Sequence, residues 1–196
     1  MFFILTGVAR IRKELTMMKA LRIGVGMVLT VILIPFCAFS QNAGKMKNNE
    51  HMKIQFPQEA YSGGMMEVQL GKLSQQNASS FKVKEFGERM INDHSKANKE
   101  LKGIAEKDNI KLPDNLLSSN QKTIKELRNY KGREFDQHYM KKMVEDHKED
   151  IKAFENAAKN AEQEQIRQWA QKTLPTLKQH LKLAEKTLNG LEKSSK

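Results

Sequence analysis

Three histidines occupy the same kind of position in this sequence. His94, His147 and His180 each fall on the apolar stripe of a segment with helical periodicity, where a solvated side chain is not expected. Two of them stand four residues after a methionine. Met90 precedes His94 and Met143 precedes His147, so thioether and imidazole share a helix face. Thioether with imidazole suits a soft ion such as Cu(I). Glu67 is a fourth member. In an antiparallel hairpin, residues equidistant from the turn face each other. Glu67 and His94 are centred between residues 80 and 81, and His147 and His180 between 163 and 164. Docking the two hairpins pseudo-symmetrically would gather all four groups near mid-bundle, where an ionised carboxylate is costly unless paired or metal-bound.

One expectation is therefore a transition-metal site made of Glu67, His94, His147 and His180, with Met90 and Met143 beside it. The alternative is packing. Methionine is an ordinary gap-filler of helical cores, and a core histidine usually bonds a neighbour, for which Asp150, three residues after His147, is placed. A di-iron carboxylate centre needs Glu-x-x-His on two helices, whereas Ile91, Val144 and Leu177 stand three residues before the histidines. Asp93 and Asp146 adjoin histidines and so point about 100° away around the helix. No residue is expected to be catalytic. The single cysteine, Cys37, excludes a disulfide framework and a cysteine-based zinc site, and no phosphate loop, dinucleotide fingerprint or nucleophile elbow occurs.

The elements that would carry these residues are helices. Of 196 residues, only 7% are aromatic and 15 are Gly or Pro, too few for a many-stranded sandwich. A first helix is expected over about 57–77. A second, about 81–107, has the stripe Val83, Phe86, Met90, His94, Ala97, Leu101 and Ile104. The stretch Asn77-Ala-Ser-Ser80 supplies a turn and a helix cap between them. After a break of some 25 residues holding one short helix (about 119–129), a third long helix spans about 133–160. A fourth, about 166–188, contains Pro175, which should kink or split it. Two tight hairpins and one long connection predict an all-α, ferritin-like four-helix bundle, with the crossover between the second and third long helices making those two parallel. Met90-Ile-Asn-Asp-His94 is echoed by Met143-Val-Glu-Asp-His147, a hint of duplicated hairpins.

Residues 1–40 read as an export signal, with Lys19 and Arg22, an apolar run over 23–36, and Ala38-Phe39-Ser40 as the cleavage site. Met17 or Met18 is the expected true start, which makes the preceding residues an extension. Residues 41–56 read as a flexible leader, 57–190 as the bundle and 191–196 as a disordered tail. Cleavage before Gln41 would lower the net charge from +11 to +7, since it removes five basic residues and one acidic residue. Lys and Glu alternate at helical spacing, as over 82–89, which is the pattern of a solvated face rather than a nucleic-acid surface. Weak association with an anionic membrane surface is compatible with this charge.

The run Gly63-Gly-Met-Met-Glu-Val-Gln-Leu-Gly-Lys-Leu73, the stretches Val83-Lys-Glu-Phe-Gly87 and Asp93-His94-Ser-Lys-Ala-Asn98, Tyr139-Met-Lys-Lys-Met-Val-Glu-Asp-His147, and Lys172-Thr-Leu-Pro-Thr-Leu-Lys-Gln-His180 belong together. Over about 57–188 they resemble the bacterial family of unknown function numbered 4142. The resemblance implies an exported protein with a ferritin-like helical bundle, often labelled an outer-membrane protein, and it brings no reaction, substrate or cofactor. The reading that follows is an exported, periplasmic or outer-membrane-associated bundle with a non-enzymatic binding or structural role. Metal binding or redox chemistry at the His/Met/Glu positions is the alternative.

Overall fold

A computed structural model describes the backbone of residues 37–193 and the side chains from residue 55. The apolar run of the expected export signal and the alternative start fall in residues 1–36, outside the described part, as do residues 194–196 of the tail, while the expected cleavage site, residues 38–40, lies in the first turn of the first helix. The chain divides into Met1–Cys37 and Ala38–Lys196, and only the second unit is described below. It is built of five helices: α1 (Cys37–Asn77), α2 (Phe81–Lys107), α3 (Ser118–Leu127), α4 (Gly132–Asn160) and α5 (Glu164–Lys193). Among the described residues there are no strands, only an isolated bridge between Ala78 and Gly132.

Polar contacts fix the directions of the helices. Gln75 on α1 donates to the Lys84 carbonyl on α2, and Asn98 reaches back to the Tyr61 carbonyl, so α1 and α2 are antiparallel. Asp93–His180, Glu100–Lys172 and Asp108–Gln165 step in opposite senses along α2 and α5. Lys148–Glu185 and Glu155–Lys178 do the same along α4 and α5. Both α2 and α4 are thus antiparallel to α5 and parallel to each other. The connection between them runs up the side of α1. Gln58 donates to the Lys111 carbonyl, Ser62 Oγ accepts from Leu117 N and Asn120, and Asn77 donates to the Tyr130 carbonyl. From Gln58 to Asn77 is about 28 Å of helix at 1.5 Å per residue, a distance the connection covers easily with α3 inside it.

Local chemistry explains the boundaries. α2 stops at Asp108, and Asn109 follows with φ 54°, a conformation asparagine tolerates. Gly132 enters α4 with φ 58°, which favours glycine. Ser80 occupies the N-cap position of α2, but its side chain makes no capping bond. The cap comes from α4 instead: the buried Asp136 carboxylate accepts from Ser79 N (3.2 Å), Ser80 N (2.9 Å) and Ser79 Oγ (2.5 Å). This ties the start of α2 to the start of α4.

Two expectations need correction. α1 begins at Cys37, not near Pro57, so the 41–56 stretch is helical and Pro57 lies inside the helix. Pro57 withdraws only one donor, and the Lys, Met, Gln and Glu around it are adequate helix formers. Pro175 does not split α5, which is a single helix from Glu164 to Lys193. Its apolar stripe, buried from Ile166 to Ala184, holds the two halves in line despite the missing hydrogen bond. No described helix is long and apolar enough to cross a membrane.

Candidate metal centre

Each long helix contributes one residue to a single polar layer: Glu67 from α1, His94 from α2, His147 from α4 and His180 from α5. The α1–α2 contact sets the first pair. A Cβ on Gly71 would stand 2.5 Å from the Gly87 carbonyl oxygen, and one on Gly87 would overlap the Ser74 hydroxyl. The two backbones therefore touch, and Glu67, one turn before Gly71, reaches His94. Its Oε2 lies 2.8 Å from His94 Nδ1. Its Oε1 lies 3.5 Å from His147 Nε2, an ion-pair distance without hydrogen-bond geometry. The His180 ring centroid is 5.3 Å from those of both His94 and His147, which are 5.8 Å from each other.

The partners of the rings dictate where the protons sit. His147 Nδ1 meets the Met143 carbonyl oxygen at 2.8 Å. His94 Nδ1 meets the Glu67 carboxylate, and His180 Nε2 meets Asp93 Oδ2 at 2.8 Å. Carbonyls and carboxylates only accept, so each of these nitrogens carries the hydrogen and donates it. In the neutral ring the other nitrogen is then a bare lone pair. Those nitrogens, His94 Nε2, His147 Nε2 and His180 Nδ1, are buried without a hydrogen-bond partner, as is Glu67 Oε1. One ring nitrogen of each histidine lies within 4.8 Å of the others. With the rings neutral, the layer holds three unpaired acceptor nitrogens and one unpaired carboxylate oxygen, and the buried Tyr139 hydroxyl, which feels the Glu67 charge, is an unpartnered donor nearby.

Charge states fit the same picture. Burial pushes the Glu67 carboxyl up, but the charges of His94 and His147, the His94 hydrogen bond and His180 outweigh it and hold its pKa at about 2. Burial, helped by His94, lowers His147 against the pull of Glu67 and the Met143 carbonyl. Burial and His94 push His180 down to about 4, with Asp93 pulling the other way. At neutral pH the layer holds an ionised carboxylate with neutral imidazoles at His147 and His180, the deprotonated forms that metal ligation demands. Around it, burial raises Asp146 to about 6 and lifts Asp150 well above the usual carboxylate range, and the Glu67 charge adds to both shifts.

Apolar clusters close the layer above and below. On one side lie Met66, Leu70, Phe86, Met90, Tyr139 and Met143 with their neighbours, and on the other Leu101, Phe154, Ile166, Trp169 and Leu177 with theirs. Along α2, α4 and α5 the histidine is where the chain passes from one cluster to the other. The sequence placed Glu67, His94, His147 and His180 together, and the structure brings all four into contact. Met90 and Met143 are fully buried members of the first cluster, where Met143 offers its carbonyl oxygen to His147. His147 takes that carbonyl and Glu67 as partners instead of Asp150. Asp93 was missed. It does point away from His94, and in doing so it meets His180 across the α2–α5 contact. The signal was the antiparallel register of α2 and α5, which hairpin arithmetic within α1–α2 and α4–α5 does not supply.

A helical bundle with one ligand-type residue per long helix, buried at mid-height, is the class of protein defined here. The chain belongs to the family described as a domain of unknown function (DUF4142), whose model matches residues 38–187. No curated protein and no solved structure is similar enough to this chain to count as a match.

Proposed function

We propose that this protein binds one divalent first-row transition metal ion at His94, His147 and His180, a three-nitrogen donor set, with the Glu67 carboxylate held on His94 Nδ1 as the buried counter-charge. The observation that carries the reading is that one ring nitrogen of each of the three histidines lies within 4.8 Å of the others, while each ring keeps one buried nitrogen without a partner. An unsatisfied buried polar group costs on the order of 1–3 kcal/mol, so three in one layer are a standing cost that a cation would remove. Tetrahedral coordination with bonds of ~2.0–2.1 Å puts the nitrogens about 3.4 Å apart. From within 4.8 Å, closure needs movements on the order of an ångström. The second contacts of the rings, two carboxylates and a carbonyl, are those that orient histidine ligands at metal sites. Imidazole donors without thioether favour Zn(II)-like borderline ions over Cu(I), and Met90 and Met143 serve as core.

A layer whose members are at most 6% exposed gives a substrate no direct access to the ion, which favours binding over catalysis. The hairpin–crossover–hairpin order, with α2 and α4 parallel, favours a ferritin-like bundle in which the di-metal carboxylate motif is replaced by a mononuclear site. We place this activity in an exported protein of the periplasm or outer-membrane surface, on the strength of the apolar run over 23–36 and its cleavage site.

Thermal unfolding with and without Zn(II) tests the reading. At a hundredfold excess over Kd, a ligand of the native state adds about 2.7 kcal/mol, which for a chain of this size is a Tm rise of roughly 5–10 °C. His147→Ala should abolish the rise while the helical content is retained. An unchanged Tm with Zn(II), Cu(II) and Fe(II) would leave the histidines as core residues only.

A further inference from the structure

This inference rests on the metal reading above and concerns how the ion reaches the site. All four residues of the layer are at most 6% exposed, so an ion has to pass through the packed wall of the bundle. The contacts single out one place. Outside the layer, His147 is tied to the buried Met143 carbonyl, and His94 is tied only to Glu67. His180 differs. It is 1% exposed, yet its Nε2 is held at 2.8 Å by Asp93, whose side chain is 37% exposed. Asp93 lines an open groove between α2 and α5 together with Phe86, Asn92, Lys182, Leu183 and Lys186. The Phe86 ring at its floor stands 6.3 Å from that of His147. A second observation concerns the helix that carries His180. Pro175 has no N–H for the Gln171 carbonyl, so the hydrogen-bond ladder of α5 is interrupted five residues before the histidine.

We infer that the ion enters through the α2–α5 groove, with Asp93 as its first ligand and His180 as the side chain that swings to admit it. Asp93 exchanges its hydrogen bond with His180 Nε2 for the incoming cation, which sheds water onto the carboxylate. The His180 ring turns with the weakened segment of α5, the ion passes to the lone pairs of the layer, and Asp93 re-forms its bond to Nε2. Asp93 is thus a positioning residue for the bound state and the capture group for entry. The groove also carries a charge signature. Five basic residues line it against three acidic ones, and Lys182 and Lys186 are exposed on its α5 wall, so a cation on this route is repelled.

Stopped-flow uptake of Zn(II) by the metal-free full chain, followed by competition with a chromogenic chelator, separates this route from others. Reversing the wall charges with Lys182→Glu and Lys186→Glu should raise the association rate by roughly tenfold at low salt, with the gain vanishing at 1 M salt. Asp93→Asn should lower that rate several-fold while the final stoichiometry stays at one ion per chain. Both lysines are exposed, so that double variant is expected to fold whatever Asp93→Asn does. Rates unaffected by the lysine reversals, or slowed instead by Asp146→Asn or Asp150→Asn on α4, would overturn the route and leave the binding site standing. A wild-type chain that takes up no Zn(II) at all would overturn the binding site, and the route with it.

Discussion

At the scale of single residues, the behaviour of the layer follows from acceptors outnumbering donors. Glu67 brings two oxygens and each histidine one bare nitrogen, while the only ring hydrogens are spent on Glu67, Met143 and Asp93. Glu67→Gln should separate the two roles of the carboxylate. The amide is nearly isosteric and its oxygen can still accept from His94, so fold and helical content should persist. Zn(II) affinity should fall by a hundredfold or more, because the site loses its one buried anion. Isothermal titration checks this, and a variant that binds Zn(II) as tightly as wild type would show that the buried charge does not help hold the ion. The four residues were legible in the sequence because stripe position and hairpin symmetry are local properties. Asp93 was not, since its role depends on which helices become neighbours, and no spacing along one helix encodes that.

At the scale of elements, the site depends on helix placement that is settled elsewhere. The Gly71–Gly87 contact brings α1 against α2 one turn from Glu67, and there a methyl group has no room. Gly87→Ala should cost on the order of 1–3 kcal/mol by overpacking and loosen Zn(II) binding as Glu67 is pushed away from His94. Combining it with Ser74→Gly, which removes the obstructing hydroxyl, should restore most of both losses. Asp136 joins the starts of α2 and α4 through three bonds to Ser79 and Ser80. Asp136→Ala should therefore destabilise the fold by about 1–3 kcal/mol in urea titrations, more than the loss of an ordinary cap. The extent of α2 could be read from its stripe alone, since seven apolar or histidine positions at steps of three and four leave little freedom. The start of α1 could not, because its polar N-terminal half has no stripe to read. The Asp136 cap was equally hidden, because its donors lie 56 and 57 residues away in sequence.

At the scale of the whole molecule, the layer divides the core into two apolar clusters and makes stability depend on pH and metal together. In the metal-free protein His180 titrates near 4, against 6.5 for an ordinary histidine. Between those values the unfolded chain binds the extra proton and the folded chain does not, so stability is present above 6.5 and is lost as pH falls towards 4. His147 shifts in the same direction and adds to the loss. The Glu67 shift acts lower, removing stability only as pH falls from 4.5 towards 2. The raised carboxyls of Asp146 and Asp150 act the other way and add stability as pH falls through the same range, so the His180 share is read against a variant. Relative to His180→Gln, the metal-free wild type should lose a few kcal/mol between pH 6.5 and 4 in denaturant titrations, and parallel curves would place the titration elsewhere. The central claim is the donor set, and X-ray absorption at the zinc edge of the loaded protein reads it most directly. The expected result is one ion per chain with a nitrogen and oxygen shell at ~2.0–2.1 Å and the outer-shell scattering of three imidazoles, lost when His147 is replaced by alanine. A six-coordinate, water-dominated shell without imidazole scattering, or zinc that leaves the protein on gel filtration, would contradict it.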